Sequence, residues 1–262
     1  MAMTGVRHLL NLMPLGFCGR GEAKLSFQPG LLNSLRFRGL RVYAIKIPIM
    51  CQPNLPPPTG QDEWFVESSL MRDFIEFVRQ TQSEENDPHE IVQKVRPKFA
   101  ALMADPDWLP AVYQEPAQGV SGMGKGIGMW LLYRAGDGNL AFSALVLPSG
   151  ASTPVHDHLA WGLVGLYRGL QYEEVFGRQD DGSIDSHAEL TVKERNNLQP
   201  GDFYELLPDN DIHQVTTRSA ITSVSLHLLG NDNGCIWRHK FHPAEQRVEP
   251  FKSGWLNVAC KV

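Results

Sequence analysis

The chain has 262 residues, of which 42% are hydrophobic and 20% charged, and its net charge is −5. That composition supports a buried core and excludes global disorder. The acidic balance offers no basic field to nucleic acid or an anionic membrane, and no apolar run reaches the roughly 18 residues of a membrane span. The cysteines, Cys18, Cys51, Cys235 and Cys260, form no C-x-x-C pair and show no spacing that suggests a disulfide scaffold. A reducing, cytoplasmic setting is therefore the expectation.

Residues 1–49 carry seven basic residues (Arg7, Arg20, Lys24, Arg36, Arg38, Arg41, Lys46) and one acid, Glu22. A basic, acid-poor leader fits a transit peptide, yet this one is poor in Ser and lacks a clear amphipathic period. Met50 offers an alternative start, which would make the leader an over-extended reading frame. Pro48, Pro53, Pro56, Pro57 and Pro58 mark an extended linker. Residues 1–60 are accordingly set apart from a domain spanning 61–262. That domain opens with a helical section. Leu70, Phe74, Phe77 and Val78 share one helix face, and Asp87-Pro88-His89-Glu90 starts a second helix with an N-cap Asp and a Pro at the first helical position. Ile91, Val95, Phe99 and Leu102 form its apolar stripe, and Asp105-Pro106 ends it. Both stripes read as core packing.

From about Ile127 the hydrophobic period falls to 2. Segments 127–133, 140–147, 153–167, 170–176, 188–193, 203–207, 212–217 and 220–229 read as strands. Asp137-Gly138, Ser149-Gly150, Asp181-Gly182 and Pro200-Gly201 punctuate them. Many short strands without intervening helices predict a mainly β, antiparallel sandwich or barrel, here over about 125–250. Gly122-Met123-Gly124-Lys125-Gly126 lacks the Gly-Lys-Ser/Thr ending of a phosphate loop and reads as a plain flexible loop.

His156-Asp157-His158 is the most informative triplet. Residues i and i+2 of a strand share a face, so two imidazoles stand side by side. His213 begins a later strand and offers a third. Three imidazoles suit Fe, Zn, Cu or Ni and leave open positions for a substrate. On 223–229, Ser225 and His227 share a face and form a pair that either faces the same interior or simply stabilises the barrel.

Gly150 with His156-Asp157-His158 matches the G-x5-H-x-H motif of the cupin superfamily, and Pro200-Gly201 with His213 resembles a stretched second motif. The resemblance implies a cupin double-stranded β-helix, a small jelly-roll barrel, preceded here by the short helical section. The carboxylate that many cupins carry after H-x-H is missing from Leu159–Val164. A three-histidine site would leave a divalent metal its full charge and favour an anionic donor such as a thiolate or enolate. With S-x-H on a following strand, Trp161–Gly169, and the tail Trp237–Phe241 and Pro250–Gly254, the chain resembles the cysteine dioxygenase family over roughly 60–257. The bacterial branch acting on 3-mercaptopropionate is the most similar.

That resemblance implies an Fe(II) thiol dioxygenase that converts a small carboxylated thiol and O2 to a sulfinate. His156, His158 and His213 would hold the iron. Ser225 and His227 would be catalytic, and Arg238 would bind the substrate carboxylate. The chain departs from the family at Leu229, where a tyrosine is usual, and at Gly162, where the animal enzymes carry the crosslinking cysteine. A Cys–Tyr crosslink is thereby excluded. Leu229 would make the pocket drier, and Tyr167 or Tyr172 is a candidate substitute donor. The animal enzymes' carboxylate-binding arginine has only Trp130 nearby, with Arg134 at the strand end. Rival readings are a three-histidine cupin cleaving a C–C bond of a diketone-like substrate, and a non-catalytic metal-binding cupin. The expected partners are a small thiol and O2, with no nucleic acid or membrane, and the expected state is a monomer or small homo-oligomer.

Overall fold

The computed structural model describes residues 58–207 and 211–260. The leader and most of the proline-rich linker fall outside the described residues. Helix α1 (Ser69–Glu84) starts where the Ser68 side chain accepts from the Met71 N–H, and α2 (Pro88–Ala104) starts where Asp87 accepts from the His89 N–H. Both are the caps that such side chains supply to unpaired first-turn N–H groups. The buried face of α1 is Met71, Phe74, Ile75, Val78 and Thr81. Leu70 and Phe77 are only partly buried, so the true stripe is rotated slightly from the expected one. On α2, Ile91, Val95, Phe99 and Leu102 are buried as expected.

The strands are β1 (Glu63–Trp64), β2 (Val120–Ser121), β3 (Gly124–Lys125), β4 (Gly128–Arg134), β5 (Ala141–Leu147), β6 (Val155–His156) and β7 (Gly162–Arg168). They continue as β8 (Gln171–Arg178), β9 (Leu190–Leu198), β10 (Phe203–Leu206), β11 (Ile212–Thr217), β12 (Ser223–Leu229), β13 (Arg238–His242) and β14 (Arg247–Phe251). One sheet runs β1-β4-β5-β12-β7-β10 and the other β14-β13-β6-β11-β8-β9. Counting β5 to β12 as strands 1 to 8, the sheets read 1-8-3-6 and 2-7-4-5, all antiparallel. That is the order of a double-sheet jelly roll, the double-stranded β-helix.

Three expectations are corrected. The run 153–167 is not one strand: it breaks after His156 and resumes at Gly162, because residues 157–161 turn to bring His158 back to the interior. Residues 120–125 form a small hairpin that buries Met123. Cys235 and Cys260 are joined as a disulfide. Their spacing gave no hint because the pairing follows from the C-terminal tail returning along β4. The Leu256 N–H donates to the Met129 carbonyl and Asn257 bonds both backbone groups of Leu131. The cysteines therefore no longer argue for a reducing setting. No helix among the described residues is long and apolar enough to cross a membrane.

The two faces of the first sheet separate the helix-packed core from the barrel interior. Outward-facing Leu132, Phe142, Ala144, Leu163, Leu226 and Leu228 pack on α1 and α2 with Phe74 and Phe99. The α2 approach is close: a Cβ on Gly165 would lie 2.9 Å from Phe99 and Met103 side-chain atoms. Inward-facing Met129, Leu131, Leu145 and Leu147 meet Val215 and Phe251 of the other sheet.

Candidate metal centre

His156 on β6 lies directly opposite His213 on β11. Opposed residues of an antiparallel pair share a face, with Cβ atoms about 4.5–5.5 Å apart, so the pairing alone brings both rings together. His158 joins them from the turn after β6. The ring centroids stand 4.8 to 4.9 Å apart, and one nitrogen of each ring lies within 4.8 Å of the others.

Each ring is oriented by its other nitrogen. His156 Nδ1 lies 2.9 Å from the Pro154 carbonyl, His158 Nδ1 3.0 Å from Asp211 Oδ1, and His213 Nδ1 2.8 Å from Glu173 Oε1. Carbonyls and carboxylates only accept, so each Nδ1 carries the proton and each Nε2 keeps a lone pair. His213 Nε2 is buried with no hydrogen-bond partner. Leaving such a group unsatisfied costs about 1–3 kcal/mol, and a bound metal ion would satisfy it. Burial, and then the positive groups around them, hold His156 and His158 well below the ordinary histidine pKa. Both are neutral at pH 7, the form that ligates. This donor set fits a divalent transition metal with open positions.

Two buried carboxylates stand behind the ligands. Asp211 accepts from His158 Nδ1 and from the backbone N–H groups of His158 and Leu159, at 2.9 and 2.8 Å. Leu159 has φ +53°, in the left-handed region that costs a non-glycine residue about 1–2 kcal/mol. The Asn231 amide donates to the carbonyls of His158 and Leu159 and helps hold that turn. Burial pushes Asp211 up to about 6 against those N–H groups. Burial also pushes Glu173 up, but hydrogen bonds from His213, Tyr204 and Asn196 outweigh it and leave the carboxyl below its usual range. The expected uncompensated metal charge is thus corrected: negative charge sits one imidazole away on two sides. Asp211, Glu173 and Tyr204 escaped the sequence reading. Strand alternation carried the signal, because Glu173 has the buried parity of Gln171 and Val175 and Asp211 that of His213.

The opposing wall is β12. Ser225 Oγ and His227 Nε2 are 3.1 Å apart, and the His227 ring lies 6.3 Å from that of His158. Burial, and then His213 and Arg238, hold His227 down at about 3, so it is neutral. Leu229 packs with Val164 and Leu206. Gly162 is its partner across the β7–β12 ladder, and a Cβ there would fall 2.5 Å from Leu229 Cδ2 and from the Leu228 carbonyl oxygen. Leu229 fills the space that a side chain at 162 would need.

Arg238, 1% exposed, opens β13. Its Nη1 donates to the Asp157 carbonyl at 2.6 Å, its Nε to the Asn233 carbonyl at 3.4 Å, and its Nη2 reaches only the Met123 sulfur at 3.8 Å. The guanidinium lies 4.4 Å from the centroid of Phe251, whose ring is 6.2 Å from that of His156. Burial lowers Arg238 to about 10, with Asp157 and Asp211 opposing, so it stays charged. Arg238 forms no carboxylate ion pair among the described residues.

The substitute tyrosines are corrected. Tyr167 lies on the outer face of β7 and donates to the Asp105 and Pro106 carbonyls, packed against the helical side. Tyr172 lies on the outer face of β8 beneath the Arg218 guanidinium. Strand alternation points both away from the histidines. Trp130 also faces outward, donating to the Glu115 carbonyl, and Arg134 is spent on Asp232 and Glu63.

No family model matches the chain. Among solved structures, an oxalate oxidase in complex with glycolate aligns at 15% identity and TM-score 0.30. That alignment covers 37% of this chain and 45% of that one, so the chain matches less than half the oxidase's length. An RmlC-like cupin from Methanocaldococcus jannaschii aligns at 13% identity and TM-score 0.30, covering 40% of this chain and 80% of that one. A cupin superfamily protein from Desulfitobacterium hafniense aligns at 16% identity and TM-score 0.29, covering 40% and 78%. The strand order, rather than these likenesses, assigns the fold.

Proposed function

We propose that this chain is a metal-dependent cupin enzyme, an Fe(II) dioxygenase that converts a small carboxylated thiol and O2 to the sulfinate. The observation that carries the reading is Arg238, a buried guanidinium whose partners are neutral, in the same interior as three convergent imidazoles. A buried charge is costly unless paired, and a substrate carboxylate supplies the pair. Fe(II) held by His156, His158 and His213 would supply the one-electron chemistry that a thiolate and O2 lack alone.

The remaining work belongs to the chain. Nη2, held only weakly by the Met123 sulfur, and the second Nη1 hydrogen of Arg238 would grip the carboxylate and fix the thiol's orientation. Pro154, Asp211 and Glu173 keep the three Nε2 atoms aimed inward. Ser225 and His227 offer neutral hydrogen-bonding groups on the facing wall. Leu229, Leu131 and Met129 exclude water. The balance is RS⁻ + O2 → RSO2⁻, with no proton or further reductant required. The apolar wall alone would also suit a diketone-cleaving cupin, but that reading supplies no carboxylate to pair with Arg238.

Oxygen uptake by anaerobically Fe(II)-loaded protein tests this, with 3-mercaptopropionate, cysteine, an uncharged apolar thiol and a β-diketone as substrates and His156→Ala as control. The expected result is uptake with the carboxylated thiols, matched by sulfinate and lost in the control. Arg238→Met should raise KM for the carboxylated thiols about 10–100-fold, the size of a lost charged hydrogen bond. No thiol-dependent uptake at stoichiometric iron would sink the reading.

A further inference from the structure

We infer that Ser143 is a ligand-contacting residue of this centre, whose hydroxyl bonds a polar atom of the ligand beside His227. The inference deepens the proposed function and takes the ligand's identity from it. Ser143 lies on β5 directly opposite His227 of β12 and opposite Leu131 of β4. Opposed residues share a face, so its side chain belongs to the barrel interior with Ala141, Leu145 and Leu147. It is 1% exposed, and its Oγ is buried with no hydrogen-bond partner.

The other inward hydroxyls of this wall are all engaged. Ser225 pairs with His227, and Ser223 pairs with Thr217 and the Gln171 amide. Of its neighbours along and across the sheet, Ala141, Leu145 and Leu131 are apolar, and His227, directly opposite, is paired through Nε2 with Ser225 and does not bond it. An unpartnered buried hydroxyl destabilises the fold, and alanine there would remove the penalty at little cost in packing. A ligand entering the barrel interior resolves this, because the inward face that carries Ser143 also carries His227, whose ring lies 6.3 Å from that of His158. Leu229, next along the same face of β12, has no hydroxyl to give. Ser143 therefore contributes, from the adjacent strand, an unengaged hydroxyl beside His227, where that of Ser225 is already paired with the imidazole.

The test pairs stability with affinity. Unloaded wild type, Ser143→Ala and Ser223→Ala are melted. Each is then loaded with Co(II) and titrated with azide and, separately, with 3-mercaptopropionate, following the visible absorption. Ser143→Ala should melt at or above wild type and bind at least one ligand about fivefold or more weakly. Ser223→Ala, which breaks satisfied bonds away from the histidines, should melt lower and bind as wild type does. Weakened azide binding together with no thiol binding by wild type would sink the thiol reading and leave the Ser143 assignment standing. The assignment is overturned if Ser143→Ala binds both ligands within twofold of wild type. It is equally overturned if that variant melts below wild type, since the hydroxyl would then have a protein partner, or if wild type binds neither ligand.

Discussion

The two inner walls of the barrel are built on opposite principles. The wall carrying His156 and His213 is polar and doubly braced: each imidazole is tied at Nδ1 to an acceptor, two of them carboxylates. The facing wall is more apolar, with Met129, Leu131, Leu145 and Leu229, and its polar groups, among them Ser143, Ser223, Ser225, Tyr204 and His227, are neutral. Rigid orientation matters where a metal is to be held. A dry, sparsely polar surface matters where a ligand is to be held beside it.

The largest effect expected belongs to the braced wall. His213→Ala removes a ligand from a three-ligand set, and stoichiometric Fe(II) or Co(II) binding, measured by metal analysis after desalting, should be lost. Asp211→Asn keeps the ligands but weakens their support. It should lower metal affinity about 10–100-fold, toward the upper end because Asp211 also holds the strained turn at Leu159. Glu173→Gln, bracing one ring, should fall toward the lower end of that range in the same competition assay. Equal affinities for both variants and wild type would erase the contrast between the walls.

Acid provides a subtler probe of both walls. Unfolded, His227 titrates near 6.5; folded, it is held down at about 3. Between those values the unfolded chain binds the extra proton, so stability falls as pH drops below about 6.5. His156 and His158 act in the same direction. Urea unfolding of the metal-free protein from pH 7.5 to 4.5 should show this slope, and His227→Asn should flatten it. Smallest of all is Tyr167→Phe. Its hydroxyl bonds backbone carbonyls on the helical side, so stability should fall by about 1 kcal/mol with metal affinity unchanged.

What the sequence made legible follows the physics of alternation. The helix cap at Asp87 and the paired faces of 140–147 and 223–229 follow from local pattern, and the H-x-H spacing with His213 marked the three histidines that the fold brings together. The break after His156 was not legible, because its cause is Asp211, some fifty residues away, gripping the backbone of His158 and Leu159. Glu173 was overlooked because a carboxylate in a strand passes for a solvated one until its face is known. Tyr167 failed as a pocket donor for the converse reason: the parity that sends Gly162 and Val164 inward sends Tyr167 out. The disulfide depends on where the tail returns, which no spacing encodes.

The central claim is that three imidazoles, oriented from behind, hold one metal ion. X-ray absorption at the iron edge of anaerobically Fe(II)-loaded protein addresses it directly. The account predicts one iron per chain with about three nitrogen ligands at roughly 2.0–2.2 Å, and loss of that signal in His213→Ala. Iron bound through oxygen ligands alone, or an unchanged spectrum in His213→Ala, would contradict it.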